Sequence, residues 1–211
     1  MRAHVALLGD SIFDNGAYVG SEPDVAAQLR TLLPADWRTS LLAVDGSTTA
    51  ELSPQFSRVA ADVSHLVISI GGNDAILNSD LLALPVASSA DALLAFGKRV
   101  DRFESAYRMA IEAACSLSRS TTVCTIYNGN LGPVEAPLAR IALMLFNDVI
   151  LRVAFERRLQ VIDLRLVCSE PTDYANPIEP SAQGGRKIAA AIARSLGVID
   201  RDAPCCSVYT R

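Results

Sequence analysis

Three short stretches of this chain place a serine, a glycine and an asparagine where an apolar run gives way to a turn. They are Gly9-Asp10-Ser11 after residues 3–8, Asp45-Gly46 after residues 39–44, and Gly71-Gly72-Asn73-Asp74 after residues 65–70. A serine hydroxyl acts as a nucleophile only with a base to take its proton and donors aimed at the oxygen that turns anionic. Ser11, on a tight turn, can expose its hydroxyl and keep its own N–H free. Gly46 offers a second N–H with no side chain to block a close approach, and Asn73 offers a side-chain amide. Each feature alone is common in loops. Three in order, each ending a strand-like run, point jointly to nucleophilic chemistry at one site.

The elements that must position these residues alternate from end to end. Residues 3–8, 39–44, 65–70, 121–127 and 161–164 read as short apolar strands. Val25, Ala26, Leu29, Leu32 and Leu33 recur at helical spacing, with Pro23 in the first turn and Pro34 as the stop. A second helix is expected around 48–61, with Pro54 disturbing it or marking its start, and a short helix and loop over 75–88. Ser88 or Ser89 caps a long helix to about 118, with Leu93, Phe96, Val100, Phe103, Tyr107 and Ile111 on its core face. Further helices follow near 135–158 and, capped by Ser181, over 182–196. Five strands with intervening helices imply parallel pairing and an α/β three-layer sandwich. Ligands of such sheets bind beyond the carboxyl ends of the strands. Ser11, Gly46, Asn73 and the loop Asn128–Gly132 each follow a strand directly, so they share one rim.

In order, spacing and strand context these motifs resemble those of the SGNH (GDSL) hydrolase family, over roughly residues 3–196. The first and third motifs are the most specific. The resemblance implies a flavodoxin-like five-stranded parallel sheet, hydrolysis of small carboxylic esters and no cofactor. It also implies Ser11 as nucleophile, with the Ser11 N–H, the Gly46 N–H and the Asn73 side chain forming an oxyanion hole. Asp14 and Asn15 fit the extended first motif and are expected to hold the turn by hydrogen bonds.

The chain departs from the family at its last motif. Where the family has Asp-x-x-His-Pro-Ser, this sequence has Asn176-Pro177-Ile178-Glu179-Pro180-Ser181. The only two histidines, His4 and His65, open the first and third strands. Five or six residues at about 3.3 Å each put them roughly 15–20 Å from the catalytic rim. The alignment therefore offers Glu179 as proton acceptor, with the Asn176 amide placed to donate to it and orient it. Burial raises the pKa of such a carboxylate and a donor lowers it, and the residues alone leave that balance open. At its ordinary pKa a glutamate is about two units weaker as a base than histidine. That is a handicap of roughly ten- to a hundredfold at Brønsted slopes below one. The alternative is a non-catalytic acyl- or carbohydrate-binding module that keeps the pocket without turnover; acyl transfer to an acceptor other than water uses the same residues.

Composition narrows the rest. The 211 residues are half apolar, enough for one substantial core, so a single domain is expected over 1–211 with 197–211 as a tail. A net charge of −4 argues against a nucleic-acid partner. There is no membrane-length apolar stretch and no recognisable secretory leader, and five cysteines without framework spacing suit reduced thiols, so the expectation is a cytoplasmic protein with a small-molecule ester as its partner. No metal-ligand spacing or phosphate-cradling glycine loop is present. Glu135, Arg140 and Asp173 lie on loops that can reach the pocket, with the surface as their better reading. Cys205-Cys206 reads as an inert pair in a polar tail.

Overall fold

A computed structural model describes residues 3–200 and 206–209. Five strands, β1 (His4–Gly9), β2 (Arg38–Leu41), β3 (His65–Ser69), β4 (Ser120–Cys124) and β5 (Gln160–Ile162), form one parallel sheet in the order β2-β1-β3-β4-β5. The helices are α1 (Val25–Leu32), α2 (Leu52–Phe56), α3 (Gly72–Ile76), α4 (Ser89–Ser116), α5 (Glu135–Glu156), α6 (Leu164–Val167) and α7 (Ala182–Ser195). Side chains alternate across the sheet. Ala6, Leu8, Leu66 and Ile68 pack under α2, α4 and α5, whereas Val5, Leu7 and Val67 pack under α1, α6 and α7. The expected three-layer α/β sandwich is therefore present. The strand order reverses between β1 and β3, and the crevice beyond their carboxyl ends is where such sheets hold ligands.

The strand ends differ from expectation for local reasons. Pairing of β2 stops at Leu41 because the Leu42 and Ala43 N–H groups both donate to Leu7 O (2.8 and 2.9 Å), a bulge that turns the chain toward Gly46. β4 ends at Cys124 because the Asn147 side chain takes both the N–H and the C=O of Ile126 (2.7 and 2.8 Å) in place of a neighbouring strand. β5 stops before Asp163, whose carboxylate caps α6 and accepts from Thr125 Oγ1 (2.8 Å). The helix expected over 48–61 is a 3-10 turn, Thr49–Glu51, with a capping box between Thr48 and Glu51, followed by the short α2. Pro23 lies before α1, which Asp24 caps.

Ser88 does cap α4, accepting from the Asp91 N–H (3.1 Å). Its core face begins later than the sequence implies: Phe103, Tyr107 and Ile111 are buried, but Leu93 is 68% exposed. A helix of 28 residues runs about 40 Å, far longer than a five-residue strand, so its first turns overhang the sheet. Asp173 is fully buried rather than at the surface, paired with Lys187 Nζ (2.7 Å) beside the start of α7. Cys206 is exposed, and Cys205 lies outside the described residues. Among the described residues no helix is long and apolar enough to cross a membrane.

Candidate active site

Gly9 ends β1 with φ +129°, and a Cβ there would sit 1.7 Å from Ser69 O, so only glycine lets β1 and β3 approach. The N–H groups of Phe13 and Asp14 both return to Asp10 O (3.2 Å each), closing a helical turn with Ser11 at its head and Phe13 buried beneath. Gln55, within α2, clamps the turn. Its Oε1 accepts from Gly9 N–H (2.8 Å), and its Nε2 donates to Gly9 O (2.8 Å) and Ser47 Oγ (3.3 Å).

The Gly46 turn is tied to the Ser11 turn by Asp14, which accepts from the Asp45 N–H (3.0 Å), and by Tyr18, whose hydroxyl donates to Asp45 (2.7 Å). Gly46 has φ +78°, the left-handed region that a side chain would strain. Asn73 stands in the first turn of α3, and its Nδ2 donates to Ser47 O (2.9 Å), leaving one amide hydrogen uncommitted. Asp74 draws the same segments together by accepting from the Thr49 N–H and Oγ1 (2.9 Å each). Within the described residues no hydrogen bond uses the N–H of Ser11 or of Gly46. Two backbone donors and one amide hydrogen on these three turns therefore have no protein partner among the described residues.

Glu179 reaches this rim from the loop before α7. Four successive carbonyls fix that loop. Pro177 O accepts from Asn130 N–H (2.8 Å), Ile178 O from the Tyr127 hydroxyl (2.5 Å), Glu179 O from Ala175 N–H (2.9 Å) and Pro180 O from Asn15 Nδ2 (3.2 Å). Asn15 also accepts from Val25 N–H (3.0 Å), so Asp14 and Asn15 do hold the turn as expected. Asn176 corrects the sequence reading. Its Oδ1 accepts from the backbone N–H groups of Ile178 and Glu179 (2.9 Å each), so it closes the turn instead of donating to the carboxylate. Short polar side chains favour that local bond over a longer reach.

The Glu179 carboxyl is buried, its Oε2 has no hydrogen-bond partner, and Ser11 is within electrostatic reach of it. Burial raises the pKa of Glu179, the Asp45 charge adds to the rise, and the Ser11 hydrogen bond pulls the other way. Burial thus outweighs the donor, and the carboxylate is a stronger base than glutamate in water. Asp10, fully buried, is pushed up to about 8 by desolvation and by the charges of Glu179 and Asp74, against its bond from Ile12 N–H. Burial also raises Asp74. Glu179, Asp10 and Asp74 are thus each held toward the neutral form.

Both histidines sit at the opposite rim. His4 bonds Ser40 Oγ (2.7 Å) and Asp62 (3.2 Å), and His65 bonds Ser64 Oγ (2.8 Å) and stacks on Trp37. No group of three His, Cys, Asp or Glu side chains among the described residues has the arrangement of a metal site. Sequence reasoning missed Gln55, Asp10 and Asp74 as supports of the site. Gln55 carried no local signal, whereas the two aspartates lay inside the motifs themselves. Glu135 does edge a pocket beside the site and is exposed.

The model of the GDSL-like Lipase/Acylhydrolase family matches residues 7–187. Among solved structures, the chain is similar to LAE5, an alpha/beta hydrolase enzyme from the metagenome of Lake Arreo, Spain. The two are 17% identical with a TM-score of 0.70, over 94% of this chain and 96% of that one. An extracellular lipase from Streptomyces rimosus is 16% identical with a TM-score of 0.68, over 91% of this chain and 99% of that one. Axe2, an acetylxylan esterase from Geobacillus stearothermophilus, is 19% identical with a TM-score of 0.66, over 92% and 94%. At these identities the likeness is one of fold. No curated protein matches the sequence.

Proposed function

The chain belongs to the GDSL-like Lipase/Acylhydrolase family, and from that premise we propose that it is a single-domain serine ester hydrolase acting on small-molecule carboxylic esters. Ser11 is the nucleophile, Glu179 its base, and Asn176 the positioning residue that fixes the Glu179 backbone. The observation that carries this reading is the buried Glu179 carboxyl within electrostatic reach of Ser11, with Oε2 unpartnered and the pKa raised. A buried unpartnered oxygen costs stability, and such costs concentrate at working sites.

In the first half-reaction Ser11 Oγ bonds to the ester carbonyl carbon as its proton passes to Glu179. The carbonyl oxygen becomes anionic between the Ser11 N–H, the Gly46 N–H and the Asn73 amide. The tetrahedral species collapses, the C–O bond to the alcohol breaks, and Glu179 returns its proton to the departing oxygen. In the second half a water gives its proton to Glu179 as its oxygen attacks the acyl carbon. The Ser11 Oγ then leaves with that proton, freeing the acid. One carboxyl group thus alternates as acceptor and donor.

The test is p-nitrophenyl acetate hydrolysis together with labelling by a fluorophosphonate. Wild type is expected to turn over and to label at Ser11, and Ser11→Ala to do neither. Hydrolysis unchanged in Ser11→Ala refutes the proposal. Esters that bind without turnover, with Ser11 inert to the label, replace it with the binding-module reading.

A further inference from the structure

Beside the proposed catalytic groups lies an apolar cavity of about 300 Å³. It lies where the overhanging first turns of α4 face α5. Phe96 of α4 and Ala139, Ala142 and Leu143 of α5 form its walls. Phe146 and Tyr127, both nearly fully buried, line its inner part. Ile76, Leu82 and Ile178 line it too but remain 46%, 44% and 40% exposed, which marks them as its mouth.

Two lining residues adjoin the reaction site directly. Gly72 precedes Asn73, and a Cβ on it would come within 3.9 Å of Asp10. Ile178 precedes Glu179, its carbonyl held by Tyr127 (2.5 Å). The cavity is thus continuous with the segments that carry the proposed oxyanion donor and base. Two of its polar members offer a ligand little. Asn78 already spends its amide on Asp74 O (2.8 Å) and its Oδ1 on Arg99 (3.0 Å), and Glu135 is exposed to solvent. The opposite side of the site, with Tyr18, Asp45 and Asp14, is polar.

We propose that this cavity holds the acyl chain of the substrate, so that the esters taken are those of straight medium-chain acids, with the alcohol on the polar Tyr18–Asp45 side. This rests on the serine-hydrolase reading and narrows its ester class. If a methylene fills about the volume of a water, roughly 30 Å³, the cavity takes on the order of eight to ten carbons. Each buried methylene raises kcat/KM roughly three- to fourfold. A substrate whose chain fills the cavity gains on the order of a hundredfold or more over acetate, and a chain too long for it loses that gain.

The experiment is a chain-length series of p-nitrophenyl esters from acetate to myristate, below their aggregation concentrations, on wild type, Ala142→Phe and Ala139→Phe. In parallel, binding of neutral 2-alkanones of the same lengths is measured by calorimetry on Ser11→Ala, which does not require turnover. The expected result is a maximum near eight to ten carbons in both series. Either Phe variant, folded by circular dichroism, should lose at least tenfold more on decanoate than on acetate, with weaker decanone binding. Ser11-dependent hydrolysis with a flat chain-length profile, unmoved by both Phe variants, overturns the acyl pocket and leaves the hydrolase. Length-selective alkanone binding without any ester turnover keeps the pocket and overturns the hydrolase. Neither binding nor hydrolysis overturns both.

Discussion

Replacing Glu179 by Gln keeps the side chain's shape and removes its charge, so activity and stability should move in opposite directions. A positioned base contributes about 10²–10⁴ in rate, and kcat/KM for p-nitrophenyl acetate should fall by that factor, about 3–5 kcal/mol. The wild-type acid limb should report a carboxylate above the ordinary glutamate range, because burial raises Glu179, and the variant should lack that limb. For stability the sign follows from the same burial. A folded pKa above the unfolded one means the native state binds more protons between the two. Wild-type stability is therefore full below the unfolded pKa and declines as pH rises through the folded pKa. Gln has no such loss, so its advantage in Tm should be smallest near pH 4 and widen toward neutral pH. Every tenfold by which burial weakens the acid is worth about 1.4 kcal/mol, or roughly 3–5 °C for a chain of this size. Thermal melts and initial rates across pH 4.5–9 read both effects on one preparation. A variant that keeps more than a tenth of the wild-type kcat/KM, or that melts lower at neutral pH, would refute the reasoning.

Other perturbations probe the supports. Asn73→Ala removes one proposed oxyanion donor and should cost about 10²–10³ in kcat with KM little changed. A matched rise in KM alone would instead point to ground-state binding. Asp10→Asn should raise Tm at pH 7–9 and leave it unchanged near pH 4. With the wild-type group at about 8, stability declines as pH climbs from the ordinary aspartate pKa to that value, a loss on the order of a few kcal/mol. Equal melts across the range would show the group to be solvated. Gln55→Leu strips the clamp from Gly9 and Ser47 and leaves buried backbone groups unpaired. Denaturant unfolding should show roughly 2–4 kcal/mol lost, and the surviving folded enzyme should turn over more slowly.

Much of the sheet could be read in advance because buried parallel strands announce themselves: Val5–Leu8 and Leu66–Ile68 are apolar on both faces, and each run is soon followed by a glycine, Gly9 being the one that the close approach of β1 and β3 requires. Three of the strands end two or more residues earlier than their apolar runs, since long-range partners decide where pairing stops. Asn147 is more than twenty residues from Ile126, and the Leu42 bulge depends on a carbonyl in β1. Leu93 misled for a related reason: helical periodicity reports a face but not how far the neighbouring sheet extends. At the site, the Ser11, Gly46 and Asn73 turns stood out because each is local. The partner of Asn176 did not, because an Asx turn and a side-chain contact use the same residues at the same spacing. The balance at Glu179 depends on burial by groups far apart in the chain, which spacing does not encode.

The acids crowded around Ser11 bear on what happens after the bond is broken. In the proposed reaction a neutral ester becomes an acid that is ionised at neutral pH, and it does so beside Glu179 and Asp45. Another carboxylate within several ångströms costs the newborn anion on the order of 2–4 kcal/mol at an effective dielectric near 20. The same field that is indifferent to the incoming ester therefore expels the outgoing product and works against the reverse reaction. It also discriminates at the entrance: esters already carrying a negative charge meet that repulsion before reaching the serine, so neutral substrates are favoured by the site's charge alone.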